Sequence, residues 1–278
     1  MTSSTQNPNV RFTRSSRLKD IELRFSQYRE HAFDKHSHRT YSIGVVNGGQ
    51  TDFFHHSITE TIQRGDIALI NTNEVHACNP VEGHALTYYM LYIQPNLMCD
   101  IAAELTESQS QPPHFPTPIV QDAPMHSKLV ELCQVIETGQ DDLEAEIMLY
   151  ETLLEVIRKY AAFDTPLPAQ TTKSSENIAA AHQYLMDHLF EKISLEELGA
   201  HSGLSPYHFL REFRKHYGMP PHTYQLQQRI NEAKRLLANG TSIADTAAQV
   251  GFADQSHFTR KFKTLVGTTP RQYQDAKE

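Results

Sequence analysis

A repeated two-helix pattern near the end of the chain restricts the fold more than any other feature. Residues 242–273 predict two short helices joined by a tight turn. Ser242 can cap the first helix with Asp245 three residues on, and Gly251 ends it because glycine accepts positive φ. Asp254 can cap the second helix. The inner face of that second helix is apolar at helical spacing, with Phe258, Phe262 and Leu265.

The same pattern begins about 48 residues earlier, at Ser194, and an internal repeat of this kind is informative about architecture. The first copy differs by one residue, because Ala253 has no counterpart in it. The paired positions include Ser194 with Ser242, Gly203 with Gly251, Phe209 with Phe258, Arg211 with Arg260, Phe213 with Phe262 and Tyr224 with Tyr273. A single copy would be equally typical of an ordinary helical hairpin with a charged outer face, and the repetition favours a tandem helix-turn-helix domain.

A longer helix is predicted between the two copies, from Tyr224 to Asn239. Its apolar stripe contains Ile230, Ala233, Leu236 and Leu237, and its basic edge contains Arg229, Lys234 and Arg235. About 16 helical residues extend for roughly 24 Å. With part of each flanking unit, this rod could hold two recognition helices about one DNA turn apart, roughly 34 Å.

These motifs resemble the signature of AraC/XylS-type transcription regulators. The matching residues are RI..A..LL, from Arg229 to Leu237, and SI.D.A..VGF.D.S.F.RKFK...G..P..Y, from Ser242 to Tyr273. The resemblance covers about the last hundred residues and implies an all-helical domain that binds double-stranded DNA. Carried over by position, the base-reading residues would be Tyr207, Leu210, Arg211, Gln255, Ser256 and Arg260, and Arg214, Thr259 and Lys263 complete the predicted DNA interface. Leu210 departs from the family, which often has a polar residue there.

The charge of the chain is divided unevenly between its two parts. The whole chain has a formal net charge of −8, which is unusual for a nucleic-acid-binding protein. Residues 1–172 carry 12 basic and 22 acidic side chains, whereas residues 173–278 carry 13 and 11. Only the second part, with a net charge of +2, is suited to phosphate. Three cysteines and the lack of a signal peptide or membrane-length apolar run predict a cytoplasmic location without a membrane partner.

Short strands dominate the first part of the chain after a polar start. Residues 1–20 are polar and basic and show no sustained hydrophobic periodicity, so we expect a disordered arm. From Ile21 to Pro95 the chain has short apolar segments separated by turns, such as Asn47-Gly48-Gly49. Strands this short and this regularly interrupted are typical of a small antiparallel barrel or jelly roll. The predicted fold class is therefore α+β with several domains: an N-terminal cupin-like β-barrel with two helices and a C-terminal all-α tandem helix-turn-helix domain.

Histidines concentrate in the predicted barrel. The segment His36-Ser-His38 and the later Asn73-Glu74-Val75-His76 resemble a cupin motif, as in the sensor domain of the same regulator family. We predict a small-molecule effector pocket lined by His36, His38, Tyr41 and His76. In metal-binding cupins His36, His38 and His76 would be ligands, but Thr40 and Tyr41 occupy the place of the expected glutamate. The prediction is therefore no metal and no cofactor, with these three histidines as the ligands if a metal does bind.

Two helices and a linker are predicted after the barrel. The second helix, Asp141 to Ala162, has a heptad-like seam that contains Leu143, Ile147, Tyr150, Leu154, Ile157 and Ala161, beside a second stripe with Leu149, Leu153 and Val156. One stripe can pack on the barrel and the other on a second copy of the chain, or both can be internal core; of the two interpretations we favour the dimer. The predicted domains are an arm (1–20), an effector-binding domain (21–111), a dimerising helical pair (112–162), a linker (163–175) and a DNA-binding domain (176–278).

Two functions of different classes fit these features. The first is a sequence-specific transcription regulator, an activator by analogy with the family, which would also contact RNA polymerase. The second is a metal-dependent cupin enzyme or metal sensor fused to a DNA-binding domain. We favour the regulator, with no catalytic residue, because the carboxylate ligand is missing and no other catalytic motif is present in the sequence.

Overall fold

The computed structural model describes residues 9–15, 18–29, 33–105, 112–139, 142–163 and 173–276. The chain divides into two compact units, with the boundary between Thr165 and Pro166. Within the described residues, the first unit contains nine strands and three helices, and the second unit contains seven helices. This arrangement confirms the predicted α+β class, although the first unit has three helices where the sequence predicted two, because the helix Pro95–Ala103 was missed.

The strands of the first unit form two antiparallel sheets. They are β1 (Asn9–Thr13), β2 (Ile21–Tyr28), β3 (Tyr41–Gly48), β4 (Gln50–His55), β5 (Ile58–Gln63), β6 (Asp66–Ile70), β7 (Ala77–Pro80), β8 (Leu86–Ile93) and β9 (Ile119–Gln121). The larger sheet has the order β1-β2-β8-β3-β6-β9, and the smaller one has the order β5-β4-β7. The sequence alone did not predict β1, β7 or β9.

Three helices cover one face of the larger sheet: α1 (Pro95–Ala103), α2 (Ala123–Thr138) and α3 (Asp142–Tyr160). Side chains alternate between the faces of a strand, so the register of the sheet decides which residues meet these helices. Leu91 of β8 lies between Leu23 of β2 and Ile43 of β3, and all three belong to the core that the helices complete. The next register position places Arg24, Met90 and Gly44 together on the opposite face.

The predicted disordered arm is wrong for Asn9–Thr13, which pairs along β2 as strand β1. Phe12 is buried, and Arg11 forms an ion pair of 2.6 Å with Glu137 of α2. The Arg11 guanidinium also lies 4.4 Å from the Phe25 ring centroid. The burial of Phe12 and the contacts of Arg11 hold β1 in place. The strand is too short and too polar for its sequence to show a clear alternation of apolar and polar residues.

The second unit is a tandem of two four-helix groups that share their central helix. Its helices are α4 (Lys173–Asp187), α5 (Leu195–Ser202), α6 (Pro206–Tyr217), α7 (Pro221–Ala238), α8 (Ile243–Gln249), α9 (Gln255–Val266) and α10 (Pro270–Gln274). Helix α7 packs on α6 and also on α8 and α9, so it closes the first group and opens the second. The predicted linker, 163–175, falls largely outside the described residues, and α4 begins at Lys173. Among the helices described, none is long and apolar enough to cross a membrane.

Candidate nucleic-acid interface and effector pocket

The two helix-turn-helix pairs, α5–α6 and α8–α9, have matching ends. Ser194 and Glu197 form a reciprocal capping box at the start of α5. At the start of α8 the Asp245 backbone amide donates to the Ser242 hydroxyl over 3.1 Å. Gly203 and Gly251 occupy the turns with φ of 64° and 78°, a conformation that glycine adopts without the cost of a Cβ. The turn residues that the repeat predicted therefore perform equivalent tasks in both copies.

The second helix of each pair, α6 or α9, packs through phenylalanines. Phe209 and Phe213 of α6 are fully buried, and so are Phe258 and Phe262 of α9. Since these residues face inward, the polar side chains between them face solvent. Of the predicted DNA-contacting residues, Arg211, Arg214, Gln255, Ser256, Arg260 and Lys263 are exposed, and Leu210 and Thr259 are half-buried. Tyr207 lies on α6, but its side chain is outside the described part of the structure.

Basic groups project from both of these helices. The Arg211 side chain is 74% exposed, with its Nε 3.6 Å from a Glu212 carboxylate oxygen. A contact of this length at the protein surface is weak and leaves the guanidinium able to reach another anion. On α9, Arg260 and Lys263 are both exposed and lie three residues apart, on one side of the helix. Each helix thus presents the donors that base edges and phosphates accept.

Arg229 of α7 connects the two helix-turn-helix groups through backbone carbonyls. Its Nε donates to the Leu189 carbonyl over 2.8 Å, and its Nη2 donates to the Glu191 carbonyl over 2.7 Å. Its Nη1 donates to the carbonyl of Gly251 in the second turn over 3.2 Å. Sequence analysis placed Arg229 on a basic outer edge. The structure uses it instead to join the segment after α4 to the turn before α9.

The turn at Gly251 also touches that segment directly. A Cβ at Gly251 would lie 2.3 Å from the carbonyl oxygen of Phe190, whereas a Cβ at Gly203 would meet nothing within 4 Å. The two glycines are equivalent in the repeat but differ in their surroundings. Gly251 therefore permits a close backbone approach that holds the second helix-turn-helix pair against the first group.

The first unit contains a small cavity on the sheet face opposite its helices. Its volume is about 10 Å³, roughly the space needed for one water molecule. Residues from β2, β7, β8 and two loops form the lining: Arg24, Phe33, His36, His76, Cys78, Tyr88, Met90 and Tyr92. Two of the four predicted pocket residues, His36 and His76, are part of this lining.

His36, His38 and His76 come together beside the cavity. Their ring centroids are 4.6 to 5.1 Å apart, and His36 and His76 also pair through their backbones. The Nδ1 atoms of His36 and His76 lie 2.7 and 2.9 Å from the carbonyls of Asp34 and Glu74. A carbonyl can only accept, so these Nδ1 atoms carry the protons and the Nε2 atoms keep lone pairs. Burial lowers the pKa of His76 despite an opposing effect of Glu74, which favours the neutral ring.

This arrangement has the donor set that a transition metal accepts. One ligand atom from each of the three histidines lies within 4.8 Å of the others. Imidazoles fixed by backbone carbonyls are typical of metal ligands. Bonds of about 2.0–2.1 Å to zinc would draw the nitrogens closer together than the longest of these separations.

Tyr41, the fourth predicted pocket residue, lies on the other face of the sheet. It is buried with Ile43 and Val45 in the core beneath the helices. Its hydroxyl donates to the Pro113 carbonyl over 2.7 Å, and its ring packs edge-on against Phe115. The prediction that Tyr41 lines the pocket is wrong, since alternation along β3 turns it away from the cavity.

Arg24 is the charged residue among the cavity-lining residues that sequence analysis missed. In the sequence, the segment Ile21 to Phe25 alternates apolar and polar residues, as a half-buried strand does. The alternation is real, but Arg24 is only 3% exposed because its face borders the cavity. The sequence signal was only an arginine within an alternating segment, whereas the burial of Arg24 depends on the pairing of β2 with both β1 and β8.

Comparison with known protein families identifies both units. Residues 18–153 match the AraC-like ligand binding domain, and residues 198–276 match a helix-turn-helix domain. The chain is 33% identical to YbfI, an uncharacterised HTH-type transcriptional regulator of Bacillus subtilis (strain 168), over 225 residues that cover 81% of each protein. It is 24% identical to the HTH-type transcriptional activator RhaS of Klebsiella pneumoniae (strain 342), over 89% of each. The chain belongs to the AraC family and is a transcription regulator with a ligand-binding domain.

Solved structures share the same fold over nearly the whole chain. An apo ToxT variant from Vibrio cholerae strain SCE256 has a TM-score of 0.57 at 16% identity, covering 97% of this chain and 96% of that one. Wild-type ToxT bound to an unsaturated fatty acid has a TM-score of 0.54 at 16% identity, covering 99% and 98%. At these identities the likeness concerns the fold alone.

We predict that Gly251→Ala destabilises the protein more than Gly203→Ala does. Both substitutions place a Cβ at positive φ, which costs about 1 kcal/mol. Only Gly251→Ala also meets the Phe190 backbone. Chemical denaturation monitored by circular dichroism would compare the two variants. Equal losses of unfolding free energy would contradict a specific contact at Gly251.

Proposed function

We propose that this chain is a sequence-specific DNA-binding regulator whose N-terminal pocket binds a small effector. In this proposal α6 and α9 enter successive major grooves, and effector binding favours one arrangement of the two units over another. The observation that carries the proposal is the repeat itself. Two equivalent helices expose arginines at matching positions, Arg211 and Arg260, from a core that shares the single helix α7.

Activation of transcription, with RNA polymerase as a partner, extends this proposal. Its support is the name of RhaS, which is an activator and matches the chain over most of its length. The most informative experiment measures binding of the purified full chain to the DNA upstream of its own gene, with and without candidate small molecules. Binding no stronger than to scrambled DNA of the same length would contradict the regulator function at that site.

We also propose a homodimer formed through α3. Leu149, Leu153 and Val156 are buried within the unit, and so is Ile157 of the heptad-like seam, which leaves the part of that seam around Ile147 for a second copy. In that seam Ile147 is 50% exposed, and Tyr150 and Leu154 are half-buried. Leu143, which also belongs to the seam, has its side chain outside the described residues.

The dimer proposal is tested by substituting Ile147, the exposed apolar residue of this seam. Ile147→Glu is expected to shift the sedimentation mass from two chains to one, because a buried carboxylate would lose its hydration. Glu82→Gln, at an exposed position on the turn between β7 and β8, is the control and should leave the mass unchanged. A parent protein that sediments as one chain would contradict the proposal.

For the DNA interface, we predict that Arg260→Ala weakens specific binding by about 1–3 kcal/mol, the range for a bidentate contact to a base. Binding to unrelated DNA should change much less. Arg235→Ala is the control, because Arg235 is also an exposed arginine of this unit but pairs with Glu232 on α7. Fluorescence anisotropy with specific and scrambled duplexes would measure both. An equal loss of affinity for specific and scrambled DNA, with affinity that depends less steeply on salt concentration, would instead indicate a phosphate contact.

For the pocket, we predict that His76→Ala abolishes the effect of the effector on DNA binding while leaving the affinity of the effector-free protein unchanged. His76 is 1% exposed and borders the cavity, so its removal alters the pocket without touching α6 or α9. His84→Ala is the control, since His84 is exposed on a turn. If His76→Ala reduced effector-free DNA binding to the same extent, His76 would have a folding role instead.

A metal-dependent function is the second candidate, and the three clustered histidines favour it specifically. A metal sensor would use an ion at His36, His38 and His76 in place of an organic effector. Metal analysis of the purified protein separates the two possibilities. The metal function would be supported if the protein contains stoichiometric zinc, iron or nickel, and if a chelator removes both the metal and the response to the effector. A chelator-insensitive response would exclude it.

A further inference from the structure

Arg24 places a full positive charge inside the first unit. It lies near the middle of β2, is 3% exposed, and contributes its side chain to the cavity wall. A guanidinium group stays protonated even when it is buried. Among the described residues that line the cavity, none carries a carboxylate. The charge therefore faces the cavity without a protein anion beside it.

The neighbours of Arg24 satisfy only part of its hydrogen-bonding capacity. Its guanidinium lies 4.4 Å from the Phe33 ring centroid and 5.8 Å from that of Tyr88, and Tyr92 contributes a side-chain hydrogen bond. The Nε and Nη2 groups are buried and have no hydrogen-bond partner in the described structure. Aromatic faces attract a cation, but they do not accept these two N–H groups in the manner of an oxygen.

The two groups without a partner lie on the same edge of the guanidinium. Nε–H and Nη2–H point in nearly parallel directions, which is the fork that a carboxylate bridges with its two oxygens. The chemistry of the open positions therefore specifies both the charge and the shape of the missing partner.

We propose that Arg24 binds the carboxylate of the small-molecule effector through Nε and Nη2. This inference rests on the proposed function, because it takes the cavity to be the effector site and names the chemical class of its ligand. His36 and His76 border the same cavity and offer polar contacts to the remainder of the molecule. The cavity of about 10 Å³ holds roughly one water molecule, so neighbouring side chains must move to admit the carboxylate and the body of the effector.

The cavity wall favours a carboxylate over other anions. Its lining is mostly aromatic or apolar, with Phe33, Tyr88 and Met90 beside the arginine. A phosphate group carries more charge and more acceptor oxygens than one arginine can satisfy in such a wall. A neutral ligand, in contrast, would leave the buried charge of Arg24 without a counter-ion.

The test compares carboxylates with their neutral amides on the full chain. Acetate, hexanoate and benzoate are each paired with acetamide, hexanamide and benzamide, and thermal unfolding reports binding because a ligand that binds the folded state raises the midpoint. We expect at least one carboxylate to raise the midpoint while its amide does not. We expect Arg24→Met to weaken that carboxylate's affinity by roughly 10- to 100-fold, the value of a lost charge-assisted hydrogen bond.

Two further variants separate recognition from folding. Arg24→Lys keeps the positive charge but loses the fork, so we expect an intermediate loss of carboxylate affinity. Arg11→Met is the matched control, because Arg11 also lies 4.4 Å from an aromatic centroid but is exposed and already paired with Glu137. It should leave carboxylate binding unchanged. If Arg24→Met does not fold, the comparison of Arg24→Lys with Arg11→Met still decides the question.

The outcomes distinguish this proposal from the proposed function. Unchanged carboxylate affinity in Arg24→Lys and Arg24→Met would overturn the role of Arg24. Equal shifts with acids and amides, or no shift with any carboxylate of the series, would overturn the anionic class of the ligand. If a carboxylate binds through Arg24 but leaves the affinity for upstream DNA unchanged, the site stands and its coupling to DNA binding fails.

Discussion

One guanidinium group determines how the two helix-turn-helix pairs of this protein are held together. Arg229 donates to carbonyls before α5 and to the carbonyl of the turn between α8 and α9. Gln225, one turn earlier on the same face of α7, donates to the same Leu189 and Glu191 carbonyls. Hydrogen bonds from a charged donor contribute about 1.5–3 kcal/mol each, more than neutral ones. Burial lowers the pKa of Arg229, yet a guanidinium remains charged near neutral pH. The hydrogen bonds of Arg229 to these carbonyls, which we call the clamp, therefore do not depend on pH near neutrality.

The clamp makes the repeat more than two copies of one motif. If α7 alone joined the pairs, any bending of that helix would change the distance between α6 and α9. The contacts of Arg229 and the close approach of Gly251 to Phe190 add a second connection beside the helix. Two separate connections resist rotation better than one, which is what reading two grooves at a fixed separation requires.

Local patterns predicted most of the second unit and part of the first. Caps, turn glycines and phenylalanine spacing depend on neighbours within a few residues, so Ser242, Gly251 and Phe258 could be interpreted from the sequence. Tyr41 and Arg24 could not. Alternation identifies the two faces of a strand, but which face meets helices and which borders a cavity depends on chain segments far away in sequence. Arg229 was misplaced for a similar reason, because its partners are carbonyls, which sequence patterns do not reveal.

The double role of α7 has a consequence for how such a domain can be divided. A fragment that starts at α7 keeps the opening helix of the second group, with Tyr273 of α10 packed on Phe262 as its closing contact. A fragment that stops after α6 loses Tyr224, whose ring packs on Phe213 and whose hydroxyl lies 2.9 Å from His182 Nε2. Because α7 belongs to both groups, a chain junction before Pro221 leaves α7 with the C-terminal group, and a junction after Ala238 leaves it with the N-terminal group. No single junction therefore yields two complete modules unless α7 is duplicated, and a junction before Pro221 also removes the Leu189 and Glu191 carbonyls that Arg229 binds.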